Sequence, residues 1–205
     1  MSRIAKPTGG LKRYSSLLKD VYIEAKKIDP ECKILNGGFT ESIPQSLKRL
    51  YKYGAGKYFD ILSIHPFANP LNPNAEEIVI GIYNSCEKIM RANGDDKKIW
   101  ITELGCPGVK SAAKENGWWA GVSPNEKQQA QWVKDIYLKL LPRMPGCEKI
   151  FWAFFRDCKG HWKNGVDYFG LVRWDLSKKP AFQAYRQAVK AWREKHPVRL
   201  IQTGN

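Results

Sequence analysis

Four short apolar runs, each followed by a stretch of helical periodicity, constrain this chain more than any other feature of its sequence. The runs lie at residues 33–39, 60–65, 98–102 and 149–155. Each is short enough for a strand, and its residues are apolar on both faces, as in parallel strands covered on both sides. Ahead of the first run, Leu11, Tyr14, Leu17, Leu18, Val21, Tyr22, Ala25 and Ile28 recur at amphipathic-helix spacing, and Asp29-Pro30 stops that helix. A second helix is expected over residues 45–53, ended by Gly54. For the third, Asn74 and Glu77 have the N-cap and N3 spacing, Ile78, Ile82, Cys86, Ile89 and Met90 share a face, and Asn93-Gly94 is the stop. Ser123-Pro124-Asn125-Glu126 reads as a capping box with Pro at N1, opening a helix with Trp132, Val133, Ile136, Tyr137 and Leu140 before Pro142. The last helix starts near Lys179-Pro180 and carries Phe182, Tyr185, Ala188, Val189 and Trp192.

The expected order is therefore one helix and then four strand–helix units, an α/β fold with a parallel sheet. A closed eight-stranded (β/α)8 barrel typically needs roughly 250 residues, and this chain has 205. Half of such a barrel fits the length, and so does a complete doubly wound sheet, since periodicity does not separate the two. A nucleotide-binding sheet would show a glycine-rich phosphate loop leading into a helix. Gly37-Gly38 lacks the third glycine and reads as a turn.

The formal charge of +14 raises a nucleic-acid reading. Its distribution opposes that reading. Lysines occur in nearly every segment, and the pairs Lys26-Lys27, Lys97-Lys98 and Lys178-Lys179 sit beside expected element boundaries, as solvated surface charge does. No nucleic-acid partner is expected. The five cysteines, Cys32, Cys86, Cys106, Cys147 and Cys158, include no C-x-x-C pair, so free thiols are expected rather than a metal knuckle or a disulfide framework. No metal or cofactor is implied. No stretch approaches the roughly 18 apolar residues of a membrane span, and the first residues lack an apolar leader, although an exported longer form would carry its leader elsewhere.

Residues able to do chemistry gather at the ends of the four runs: Gly37-Gly38 and Glu41, His65, Glu103, and Arg156-Asp157. In a parallel α/β fold, this is the edge at which sites are built. Adjacent strands lie roughly 4.8 Å apart, so pairing in chain order brings His65 and Glu103 within reach of each other. Strict alternation places Ile99, Ile101 and Glu103 on one face and Trp100 and Thr102 on the other. A carboxylate just beyond an apolar strand is placed to act as a glycosyl nucleophile, or else to be neutralised by a lysine. His65 has two readings, a hydrogen-bonded histidine before Pro66 or a substrate-binding and nucleophile-orienting one. Trp118, Trp119, Trp162 and Tyr168 in the loops, with Trp152 in the last run, are candidates to stack on sugar rings. Trp100, Trp132 and Trp192 read as core.

Several strings in order resemble the fifth to eighth strands of clan A glycoside hydrolases. They are Asp29-Pro-Glu-Cys-Lys-Ile-Leu-Asn-Gly-Gly38, Tyr58-Phe-Asp-Ile-Leu-Ser-Ile-His-Pro-Phe67, Lys98-Ile-Trp-Ile-Thr-Glu-Leu-Gly105, Ile150-Phe-Trp-Ala-Phe-Phe-Arg-Asp157 and Tyr168-Phe-Gly-Leu171 to Lys179-Pro-Ala-Phe182. Cellulase-like barrels and the family of β-xylosidases and iduronidases are the most similar. The resemblance implies the C-terminal half of a (β/α)8 barrel over residues 1–195, a truncated TIM barrel, followed by a tail at 196–205. It implies a retaining hydrolase of β-linked oligo- or polysaccharides, with Glu103 as nucleophile and His65 and Trp152 around the cleaved bond. In that clan the acid/base is a glutamate after an asparagine at the end of the fourth strand, and no such pair follows a strand here. Glu41 and Asp157 are the substitutes within the chain, and Asp157 has Arg156 beside it as an ion-pair partner. The open sheet edges of a half-barrel imply self-association. The rival expectation is a half-barrel that binds carbohydrate without turnover.

Overall fold

The structure is a computed structural model that describes residues 7–110, 119, 121–162 and 165–195. These form two compact units, one built from residues up to Phe67 with Glu76–Leu104 and Met144–Trp152, the other from Ala68–Ala75, Gly105–Arg143 and Ala153 onward.

The first unit contains α1 (Pro7–Ile28), α2 (Ile43–Lys52), β1 (Ile61–Ile64), nearly all of α3 (Ala75–Ala92), β2 (Lys98–Leu104) and β3 (Cys147–Trp152). The strands form a parallel sheet in the order β1-β2-β3. All four residues of β1 are buried, and Leu62, Ile64, Ile99 and Ile101 are wholly shielded from water with Leu47 and Leu50 of α2 and Val79 and Cys86 of α3. Each such aliphatic side chain contributes about 1.5–3 kcal/mol by leaving water. The Asn93-Gly94 stop holds: Gly94 has φ +69°, and its N–H and those of Asn93 and Asp95 bond back to the carbonyls of Arg91 and Met90. On α1 the apolar pattern is only half used. Leu18 is buried, whereas Leu17, Val21 and Ile28 face outward.

Residues 33–39 do not form a continuous strand. They touch β1 through two parallel bridges, Leu35 with Ile61 and Phe39 with Ile64. Between these the buried side chain of Asn36 enters the ladder. Its Oδ1 accepts from the Ser63 N–H at 2.6 Å, and its Nδ2 donates to the Ser63 carbonyl at 3.3 Å. A side-chain amide carries both groups of a peptide, so it satisfies the strand while the main chain turns away.

The second difference lies in β2, which runs two residues beyond the expected end and takes in Glu103. Against β3, Ile101 pairs with Ile150 and Leu104 with Trp152, so one extra residue is accommodated on β2 around Thr102 and Glu103. Such a bulge suspends period-two alternation.

The second unit contains α4 (Glu126–Asp135), a wide turn at Ile136–Leu140, a tight turn at Leu141–Arg143, the antiparallel pair β4 (Cys158–Trp162) and β5 (Gly165–Asp167), and α5 (Pro180–Lys195). Helices α4 and α5 pack together, and Tyr137 meets Tyr185 edge to face at 5.2 Å. The expected cap at Ser123 is displaced to Asn125. Its side chain accepts from the N–H groups of Lys127 and Gln128, while the Gln128 side chain accepts from the Asn125 N–H. The cause is a parallel bridge of Val109 with Asn125, which keeps residues 124–126 bonded to Val109 and delays the helix. Pro142, expected after the helix, lies inside the tight turn. The β4–β5 hairpin was not expected from the sequence. Lys179 is not solvated: it is buried and paired with Asp157 at 2.7 Å. All five cysteines are free thiols. The fold is α/β with a small three-stranded parallel sheet.

Candidate active site

Parallel pairing brings the C-terminal ends of β1 and β2 to one edge, and the polar residues of the first unit meet there. Glu103 is 42% exposed at its side chain, and His65, just past β1, is 13% exposed. The carboxylate Oε2 lies 3.6 Å from His65 Nδ1. Burial lowers the His65 pKa below the ordinary histidine value, and the Glu103 charge opposes that shift. Burial prevails, so the imidazole is neutral at neutral pH.

The other ring nitrogen, Nε2, is 2.8 Å from Thr102 Oγ1, which in turn is 2.6 Å from Ser63 Oγ. Thr40 Oγ1 stands 3.4 Å from Nδ1. Thr102 and Glu103 are consecutive, yet both meet His65, which strict alternation forbids and the bulge in β2 explains. The His65 main chain is held as well, its N–H donating to the Phe39 carbonyl at 2.8 Å. Gly38 has a reason beyond a turn. A Cβ at that position would penetrate the His65 ring, so glycine alone lets the two approach.

Of the sequence candidates, Glu103, His65 and Trp152 belong to this unit, and half-buried Trp152 ends β3 in register with Leu104. Glu41 is exposed just before α2. Trp119 and Trp162 belong to the other unit. Trp119 is only 5% exposed and meets Phe169 edge to face at 5.6 Å, so its ring is packed rather than offered to a ligand. Trp118 lies outside the described residues, as does the side chain of Trp162 in β4. Asp157 does not pair with Arg156. Its Oδ1 accepts from Lys179 and from the Gly170 N–H at 2.9 Å, and burial pushes the carboxyl up and the Lys179 ammonium down. The Arg156 guanidinium lies over Trp174 at 4.0 Å. Among the described residues no cluster of histidine, cysteine and acidic side chains could hold a metal ion.

The sequence reading did not single out Asn36, Thr40, Ser63 or Thr102. For Asn36 and Ser63 a signal existed, since each is a polar residue inside an otherwise apolar run, and such a residue needs a buried partner.

No protein-family model matches the chain, and no curated protein matches it by sequence. Solved structures do match in shape. A GH2 β-galacturonidase from Eisenbergiella tayi, solved with glycerol, superposes with a TM-score of 0.65 at 16% identity, over 86% of this chain and 30% of that one. A Bacteroides uniformis β-glucuronidase gives 0.66 at 16% identity, over 96% and 23%. An active-site mutant of a Rhizomucor miehei β-1,3-glucanosyltransferase, solved with laminaritriose, gives 0.57 at 15% identity, over 83% and 56%. The chain thus spans less than a third of the length of the first two. Its fold is that of a segment found within glycoside hydrolases.

Proposed function

We propose that this chain is the strand-five-to-eight half of a clan A (β/α)8 glycoside hydrolase, of a cellulase-like or β-xylosidase/iduronidase-like family. Residues 1–195 belong to the catalytic domain and 196–205 are its tail. The reaction is retaining hydrolysis of a β-linked saccharide, with Glu103 as nucleophile. The observation that carries this reading is the Glu103 carboxylate: half-exposed, at the C-terminal end of the central strand, and 3.6 Å from the His65 imidazole. An exposed carboxylate in that place can reach a ligand, whereas one serving only to balance charge would meet a lysine. The likeness in fold to glycosidase segments supports the same reading.

In this mechanism a Glu103 oxygen forms a bond to the anomeric carbon while the bond to the leaving oxygen breaks and that oxygen takes the electron pair. Water then displaces Glu103. A retaining site needs a second carboxyl group roughly 5 to 5.5 Å away to protonate the leaving oxygen and later activate the water. Asp157 is committed to Lys179 and Gly170, which leaves exposed Glu41 as the substitute within the chain; in this reading the acid/base belongs to the other half of the barrel. His65 and Trp152 line the subsite at the cleaved bond.

A leaving group that departs without a proton separates the two roles. With 2,4-dinitrophenyl β-glycosides the chain should release dinitrophenolate, azide should accelerate turnover by replacing water, and Glu103→Gln should abolish release. Unactivated alkyl glycosides should resist. Saccharide binding with no release, unchanged in Glu103→Gln, would instead establish a carbohydrate-binding module.

A further inference from the structure

We infer that Thr102 is a positioning residue that fixes His65 in the tautomer carrying its proton on Nδ1, and so turns an N–H donor toward Glu103. The inference comes from counting protons along one chain of contacts, Ser63 Oγ to Thr102 Oγ1 at 2.6 Å and Thr102 Oγ1 to His65 Nε2 at 2.8 Å. The two hydroxyls bring two protons, and a neutral imidazole brings one proton and one lone pair.

Suppose first that the ring proton is on Nε2. It is donated to Thr102, Thr102 then donates to Ser63, and the Ser63 proton is left over. Ser63 is buried, and among the described residues Thr102 is the one hydrogen-bond partner of its hydroxyl. A buried donor with no acceptor is the expensive outcome of such a count. Suppose instead that the proton is on Nδ1. Ser63 donates to Thr102, Thr102 donates to Nε2, and the Nδ1 proton faces Glu103 Oε2 at 3.6 Å and Thr40 Oγ1 at 3.4 Å. Both hydroxyl protons of the chain now have an acceptor, and the Nδ1 proton faces a carboxylate, which can only accept, beside exposed Thr40, whose own proton is free for solvent. The close seat left by Gly38 prevents the ring from swinging out of this alignment. Neutrality of the ring, favoured by burial, is what gives the choice between tautomers its meaning.

The functional value of this device rests on the glycosidase reading of Glu103, because a donor on the nucleophile holds one of its oxygens and leaves the other for attack. The tautomer itself does not depend on that reading.

The chain has three histidines, so long-range proton–nitrogen correlation spectra of histidine-labelled protein at pH 7.5 are tractable, with His65→Gln assigning the signals. Wild type and Thr102→Ser should show a pyrrole-like Nδ1 and a pyridine-like Nε2 at His65. In Thr102→Val, which keeps the shape and removes the hydroxyl, the Nδ1–H form should fall from dominant to a mixture. A wild-type spectrum with the proton on Nε2 overturns the inference even if the valine variant does not fold, and so does a Thr102→Val spectrum unchanged from wild type. Failure of Glu103 to react with glycosides would leave both spectra as described, which separates this inference from the proposed function.

Discussion

At the scale of residues, the site is a set of constraints on one imidazole. Gly38 leaves room for it, Thr102 hydrogen-bonds its Nε2 with Ser63 behind, and the Glu103 carboxylate lies 3.6 Å from its Nδ1. A histidine whose folded pKa lies below its unfolded value binds fewer protons folded than unfolded in the interval between the two. Stability therefore rises with pH through that interval and is free of the penalty above about pH 6.5, the unperturbed histidine value. Urea denaturation of wild type should show stability falling as pH drops from 6.5 through the folded pKa of His65, and His65→Gln should remove that part of the slope. An unaltered slope in the variant would mean that His65 is protonated in the folded state as readily as in the unfolded one.

Elements were legible in the sequence where periodicity and punctuation agree. The helices ending at Asp29-Pro30 and at Asn93-Gly94, and the three strands of the sheet, follow from apolar spacing and those stops. What periodicity missed depends on contacts distant in sequence. The bridge of Val109 with Asn125 moved the α4 cap, the Asn36 amide interrupted a strand, and the bulge in β2 put Thr102 and Glu103 on the same histidine. Glu103 and His65 were visible because strand ends display them. Ser63 and Thr102 act only through partners that the linear sequence does not show. The displaced cap has a direct check in urea melts: Asn125→Ala should cost about 1 kcal/mol. Ser123→Ala should cost nothing or stabilise, because the buried Ser123 hydroxyl makes no hydrogen bond among the described residues. The reverse ranking would restore Ser123 as the cap.

The buried pair of Asp157 and Lys179 binds several loops of the second unit. The Lys179 ammonium also donates to the carbonyls of Gly108 and Tyr168, and Gln129 donates to those of Cys106, Tyr168 and Gly170. Removing one charge strands the other, so Asp157→Asn should destabilise by about 3–5 kcal/mol. Adding Lys179→Met should recover much of that loss, because the asparagine oxygen still accepts from Gly170. A double variant no more stable than Asp157→Asn would show that the lysine stabilises the unit through its carbonyl contacts rather than through the ion pair.

For the whole molecule, the fold is like that of a segment found within glycoside hydrolases, and the proposed chemistry turns on one side chain. The net charge of +14 is spread along the sequence, and Lys179, the buried basic residue among the described ones, is paired with Asp157. The most direct test is covalent capture. The chain should be incubated with a panel of 2-deoxy-2-fluoro-β-glycosyl fluorides of gluco, galacto, xylo and glucurono configuration, which form glycosyl-enzyme esters that are slow to hydrolyse. Peptide mapping by mass spectrometry should then place a single fluoroglycosyl ester on Glu103 for at least one sugar, with no ester in Glu103→Gln. An ester on Glu41 or Asp157 instead, or none with any member of the panel, would contradict Glu103 as the nucleophile.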